Sequence, residues 1–248
     1  MENWIEHIVE PKRLYLAWQA PEQMRDRFRW AVATLEREDD RVRLRYIDDP
    51  DEFSRLNSGR SKDQLWKLGY RGYPAFSTKR SVHEKGVLET FLRRLPPRKR
   101  SDFSEYLKQY RLRSGAEFSD FALLGLTGAK LPSDWFSLVD PFDPDAETCE
   151  RVIEIAGHRY QQTRPGLQPG DAVDFVPEPE NPVDSNAVAI HAKGETIGYV
   201  NRLQAPTFRH WLQRRNLSGV VERFNGNRER PLVFCFVWVR PLSAQAVA

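Results

Sequence analysis

Cysteine is scarce in this chain: two residues, Cys149 and Cys235, in 248. Neither stands in a CxxC or Cys/His pattern, which excludes the common structural zinc sites and a disulfide scaffold. Cys235 lies inside the apolar run LVFCFVWV and reads as a buried thiol. The five histidines, His7, His83, His158, His191 and His210, are scattered, and none falls in a nucleophile, metal or carboxylate-pair spacing. The expectation is therefore a protein that is not an enzyme and carries no cofactor or metal. Long apolar runs are missing too. Nothing approaches the roughly 18 residues a membrane span needs, and the start, MENWIEHIVEPKR, lacks the basic and apolar regions of a signal peptide. A cytoplasmic location is expected. Charge of one sign is also in short supply, with a net of only +3. Basic and acidic residues balance up to Glu150, so the whole excess lies beyond it, which is compatible with a nucleic-acid partner without demanding one.

With 40 % hydrophobic and 29 % charged residues, the chain has the composition of a globular protein, long enough for two modest domains. RLYLAW (Arg13 to Trp18) and FRWAVATL (Phe28 to Leu35) suit strands. RVRLRYI (Arg41 to Ile47) alternates Val42, Leu44 and Tyr46 against three arginines, so it predicts a half-buried strand with an arginine face. That face either meets phosphates or is solvated, with the acidic run Asp48 to Glu52 as counter-charge. Asp51 to Leu56 predicts a short helix, and GYRGYPAF (Gly69 to Phe76) an irregular stretch. Val87, Leu88, Phe91, Leu92 and Leu95 form a helical stripe that Pro96-Pro97 stops. A second amphipathic helix follows Ser101, and a third covers Asp120 to Leu126.

Two features in this half invite over-reading. GLTGAK (Gly125 to Lys130) has no GxxxxGK[ST] spacing, and Leu131 stands where a phosphate loop needs its hydroxyl. RRLPPRKR (Arg93 to Arg100) is a nucleic-acid contact, a partner epitope or, more economically, a solvated connection between helices.

DPFDPDAE (Asp140 to Glu147) packs prolines among acids and marks a boundary, giving an N-terminal lobe over 1–139, a linker over 140–150 and a second domain over 151–242. The second domain is β-rich. VIEIA (Val152 to Ala156), AVDFV (Ala172 to Val176), AVAIH (Ala187 to His191) and Thr196 to Val200 are short strands, with turns over Gln161 to Gly170 and at Lys193-Gly194. Gln204 to Arg214 predicts a helix with Ala205, Phe208, Trp211 and Leu212 on one face. Val220 to Phe224 and Leu232 to Val239 flank Asn225-Gly226, a hairpin signal. Several short strands with one helix predict a small barrel. The overall expectation is an α+β protein: a mixed α/β lobe, then an OB-like β-barrel.

Two resemblances accompany these motifs. GYPAF, FLRRLPPRKRSDFSEYL and SDFALLGLTGAKLPSDWFSLV resemble the small N-terminal subdomain of HipA-type kinases, over Arg13 to Val139. The kinase core has no counterpart downstream, so the resemblance implies at most an interaction lobe for a partner protein. IAGHRY, followed by LQPGDAVDFVPEPENPVDSNAVAIHAKGETIGYVNRLQA, is similar to the HIRAN domain along its length. That family has a compact barrel related to the OB-fold, and its better-studied members grip the free 3′ end of single-stranded DNA. The resemblance implies a nucleic-acid site of Arg159, Tyr160, Asp184, Tyr199 and Arg202. By their chemistry, Arg159 offers a forked donor to phosphate and Tyr160 a flat face to a base. By resemblance, Asp184 accepts the terminal sugar hydroxyl and Arg202 is a second basic contact. Tyr199 either stacks or packs. By their chemistry, Pro182 fixes the turn while Asn181, Asp184 and Asn186 can hydrogen-bond nearby backbone and hold the loop, so a structural role for Asp184 stands beside the one the resemblance implies; Gly198 belongs to the structural motif. The family's end-binding members carry an aromatic residue just before the motif aspartate, where this chain has Val183.

The leading expectation is a non-catalytic protein whose barrel binds single-stranded DNA or DNA ends, with the N-terminal lobe docking a partner. The alternative is a protein-interaction or toxin–antitoxin-type module with no direct contact to DNA.

Overall fold

The structure is a computed structural model, and it describes residues 2–24, 28–39, 41–131, 134–161, 166–226 and 231–242. It is α+β, built as two compact units that interleave in sequence. One comprises Glu10–Phe103 and Glu117–Pro141, the other Met1–Val9, Ser104–Ala116 and Phe142–Ala248. The linear boundary near Asp140 thus divides the chain differently from the contacts, which group residues 1–9 and 104–116 with the C-terminal unit.

The N-terminal unit is built on a five-stranded antiparallel sheet of β1 (Arg13–Gln19), β2 (Arg29–Glu38), β3 (Arg41–Tyr46), β4 (Val82–His83) and β5 (Phe136–Val139), in the order β4-β3-β2-β1-β5. The alternation in β3 buries Val42, Leu44 and Tyr46. On its arginine face Arg41 is exposed, while Arg43 and Arg45 are paired with carboxylates. Arg45 grips Glu52 with both terminal nitrogens at 2.9 Å, and Arg43 reaches Glu36 at 2.9 Å and Glu38 at 3.1 Å. Desolvation of Glu36 is outweighed by Arg43, Arg13 and Arg45, so its carboxyl is held below the usual range.

Helix α1 (Pro50–Leu56) starts where Asp49 accepts from the Glu52 N–H at 2.7 Å, with Pro50 in the first turn. A capping box of Ser61 and Gln64 opens α2 (Lys62–Lys67). The predicted stripe forms α3 (Val87–Leu92), which buries Val87 and Phe91, with Leu95 buried just beyond it. Within RRLPPRKR the structure removes Arg94 from any external role. It is 7 % exposed, and its guanidinium is spent on Asp134 and on the Ala129 and Phe136 carbonyls. Arg98 pairs with Asp120 and Arg100 with Asp102, so this basic run is substantially neutralised in place.

α4 (Phe103–Gln109) falls almost wholly in the segment 104–116 grouped with the C-terminal unit, whereas α5 (Asp120–Thr127) belongs to the N-terminal unit and is capped by Ser119 and closed by left-handed Gly128. GLTGAK is therefore a helix C-terminus.

The C-terminal unit contains β6 (Cys149–Glu154), β7 (Ala172–Pro177), β8 (Val188–Ala192), β9 (Glu195–Tyr199), β10 (Arg215–Gly226), β11 (Pro231–Pro241) and α6 (Ala205–Arg214). The sheet order is β6-β11-β10-β7-β8-β9, antiparallel throughout. Val233, Cys235, Val237 and Val239 of β11 pack with Phe208 and Trp211 of α6 in one core. Burial pushes the Cys235 thiol up, so it stays protonated and inert. Asn225 and Gly226, expected as the hairpin turn, instead form the end of β10, paired with Leu232 and Pro231; residues 227–230 lie outside the described residues, as do 162–165 of the predicted Gln161–Gly170 turn.

The expected barrel is not closed. Along the sheet order β6 and β9 are the two edges, and a single bridge, Ala156 to Tyr199, joins the chain just past β6 to the end of β9. A left-handed glycine, Gly157 (φ 73°), turns the chain away directly after this bridge, which ends the pairing.

Candidate nucleic-acid interface

The site is built outward from the closing bridge. Ala156 and Tyr199 exchange both main-chain hydrogen bonds at 2.8 Å. This close approach requires a glycine at 198, whose φ is 144°. A Cβ there would stand 2.5 Å from an Ile155 methyl and 2.6 Å from the Ala156 carbonyl oxygen, with no flexible group to yield. After Gly157 the chain makes one 3-10 turn, His158–Tyr160. His158 points inward and is 7 % exposed, its Nδ1 2.7 Å from the Ile197 carbonyl oxygen. That bond fixes the turn to β9 and leaves Arg159 and Tyr160 outside. Tyr160 is 63 % exposed. The Arg159 guanidinium lies 4.5 Å from the Tyr160 ring centroid and donates to its hydroxyl. A cation and an aromatic face are thus presented together.

The NPVDSN loop holds itself by its own side chains. The carbonyl oxygen of the Asn181 side chain accepts from the N–H groups of Val183 (3.0 Å) and Asp184 (3.2 Å), and its amide donates to Glu178 at 2.8 Å. Asp184 Oδ1 accepts from the Asn186 N–H at 2.9 Å, and the Asp184 carbonyl accepts from Ala187 at 2.9 Å. Asn186 thus enters through its main chain. Pro182 and Asn186 are exposed, as is Val183 at 70 %. Asp184 is half-buried, with one carboxylate oxygen committed to the loop.

Tyr199 links loop and bridge. Its hydroxyl bonds to the side chains of Glu178 and Asn181, and burial together with the Glu178 charge pushes the phenol up from its ordinary value. The Tyr199 hydroxyl is therefore engaged inside the protein, and its ring is half-buried. The network brings Tyr199, Asn181 and Asp184 into one continuous group, and the Ala156 bridge ties Arg159 and Tyr160 to it. Arg202 follows β9 in the turn leading to α6 and is half-buried.

Two participants escape sequence reading. Glu178 is the acid to which both Tyr199 and Asn181 are tied, and Arg209 of α6 donates to the Ser185 carbonyl within the loop. Glu178 stands three residues before Asn181, a spacing that suits such a contact. Arg209 has no local signal, because its partner comes from another element. Among the described residues no group of three or more His, Cys, Asp or Glu is placed to hold a metal ion. None of the described helices is long and apolar enough to cross a membrane.

Residues 150–240 match the family model of the HIRAN domain. Two solved structures are similar. The HIRAN domain of human HLTF is 20 % identical, covering 37 % of this chain and 76 % of that one, with a TM-score of 0.30. A protein from Lactobacillus plantarum is 21 % identical, covering 38 % of this chain and 93 % of that one, with a TM-score of 0.32. No curated protein matches the chain. The segment that carries the bridge, the NPVDSN loop and the Arg159-Tyr160 turn is thus the segment, 150–240, that matches the HIRAN domain.

Proposed function

We propose that the C-terminal unit is a non-catalytic module that binds single-stranded DNA or a DNA 3′ end. The observation that carries this reading is the exposed Tyr160 ring with the Arg159 guanidinium over it, held to the bridge by the buried His158. A base stacks on the open face of Tyr160, and Arg159 meets the adjoining phosphate, with Arg202 as a second cationic contact. Glu178 and Asp184 make the loop side of the group acidic, so a phosphate is repelled there and a sugar hydroxyl is preferred. Asp184 keeps its second oxygen for such a hydroxyl while Oδ1 holds the loop. Tyr199 positions the loop through its hydroxyl. The match of this segment to the HIRAN domain supports the reading. For the N-terminal lobe, docking of a partner protein rests on the HipA-like resemblance alone.

Fluorescence anisotropy with short single-stranded oligonucleotides tests the proposal. Binding falls as salt rises, and Arg159→Ala flattens the dependence of log K on log salt by about 0.7, one single-strand contact. Ends carrying a 3′-phosphate bind less tightly than ends with a free hydroxyl. An absence of binding at low salt, to either kind of end, defeats the reading and leaves the protein-interaction alternative.

A further inference from the structure

The N-terminal unit holds a cavity of about 350 Å³ that the reading above does not use. Phe53 of α1 and Leu65 of α2 contribute apolar wall. Three observations give it a chemical character. The first is Tyr70, which lines the cavity and is only 5 % exposed, yet has a buried hydroxyl with no hydrogen-bond partner among the described residues. Its ring is set edge-on to Trp18 at 5.4 Å and to Phe136 at 6.4 Å, so packing holds the orphan hydroxyl in place. Burial, with Tyr46 and Asp48 nearby, pushes its phenol up, which keeps it a donor in need of an acceptor. The second is Trp66 of α2, which lines the same cavity while 54 % exposed. The third is a polar margin: Lys62 donates to Asp48 at 2.9 Å, and Arg71 is exposed with Nη1 anchored by the Trp66 and Tyr70 carbonyls at 3.2 and 2.8 Å. This anchoring fixes the direction of a guanidinium fork suited to an anion.

We propose that this cavity binds a nucleoside monophosphate. The base lies against Trp66 and presents a ring or carbonyl acceptor to Tyr70, while the Asp48–Lys62 pair offers an acceptor and a donor side by side. Arg71 takes the phosphate. The volume sits at the small end of the ~300–1,000 Å³ usual for ligand sites, which suits one nucleotide. The site is independent of the C-terminal unit and requires no strand.

Isothermal titration of the full chain with the 5′-monophosphates of adenosine, guanosine, cytidine and uridine tests it, with the nucleosides and inorganic phosphate as controls. At least one monophosphate binds, and more tightly than its nucleoside or phosphate. Trp66→Ala weakens that binding about tenfold or more, as lost base stacking does. Tyr70→Phe weakens it too, while its melting temperature without ligand equals or exceeds that of the parent, because an unpaired buried hydroxyl is removed. Arg159→Ala leaves it unchanged. Silence with all four nucleotides overturns the proposal. So does binding that Arg159→Ala abolishes and Trp66→Ala spares, since the nucleotide then sits in the C-terminal unit. A lowered melting temperature for Tyr70→Phe overturns it as well, because the hydroxyl then has a partner within the protein.

Discussion

Asn181 donates to the Glu178 carboxylate at 2.8 Å, and with its side-chain oxygen accepts from the N–H groups of Val183 and Asp184. One amide therefore sets the shape of the loop and ties it, through Glu178 and Tyr199, to the bridge that joins the sheet edges. Asn181→Ala leaves two main-chain donors without their acceptor. A loss of about 1–3 kcal/mol is expected in urea denaturation, together with weaker oligonucleotide binding because Asp184 loses its position. Unchanged affinity in that variant would separate the loop from ligand binding.

Gly198→Ala forces a Cβ against Ile155 and the Ala156 carbonyl in a backbone conformation that side chains avoid. The cost is about 2 kcal/mol or more, from strain and clash together. Thermal unfolding reads it directly, and faster amide exchange at Ala156 and Tyr199 localises the damage to the bridge.

Val183 is 70 % exposed, so a larger side chain meets no steric obstacle from burial. Val183→Tyr adds a stacking surface beside Asp184. If the 3′ end of a strand lies there, affinity for single-stranded DNA with a free 3′ hydroxyl rises by about 1–3 kcal/mol, with stability unaltered. Anisotropy with free and blocked 3′ ends checks both the gain and its dependence on the hydroxyl. An equal gain for blocked ends would place the end elsewhere.

Glu150, 1 % exposed in β6, contributes to the acid limb of stability in the C-terminal unit. Burial alone would raise its carboxyl, but the His7 N–H at 2.9 Å, Arg240, the Glu6 N–H at 3.0 Å and the His7 ring together hold it below the ordinary glutamate value. A depressed folded-state value means its contribution is fully present above the unfolded value and is lost as pH falls through the folded one. Urea denaturation between neutral and acid pH should show this loss. Glu150→Gln destabilises at neutral pH and flattens the acid slope, because Arg240 and two main-chain donors lose a charged acceptor.

The strands and the main helices were legible because their signals are local. Alternation in RVRLRYI and AVDFV and the apolar face of Gln204 to Arg214 each lie within a few residues of one another, whereas the Asn225-Gly226 step proved to be the paired end of β10 and not its turn. Helix α2 was missed although its Ser61–Gln64 capping box is present in the sequence, and β4 and β5 were missed because two to four residues carry too little periodicity. The arginine face of β3 reads either as a phosphate contact or as a solvated face with the acidic run Asp48 to Glu52 as counter-charge. Glu52 of that run takes Arg45, and Glu36 and Glu38 of β2 take Arg43, while Arg41 stays exposed. Arg94 read as one of five surface cations, whereas its partner Asp134 is brought to it only by the fold.

At the candidate site the sequence by itself determined the residue types: a basic-aromatic step after a turn, an Asn-Pro-Asp-Asn loop, and a glycine before Tyr199. Their chemistry follows from identity and short spacing, so it survives without coordinates. Only the tertiary structure decided what each of them does. It turned His158 inward, engaged the Tyr199 hydroxyl with Glu178 and Asn181, and reduced barrel closure to one bridge. The physical reason is that hydrogen bonds and close approaches of this kind join segments far apart in the chain. No local period encodes the distance between Gly198 and Ala156, and that distance is why position 198 has to be glycine.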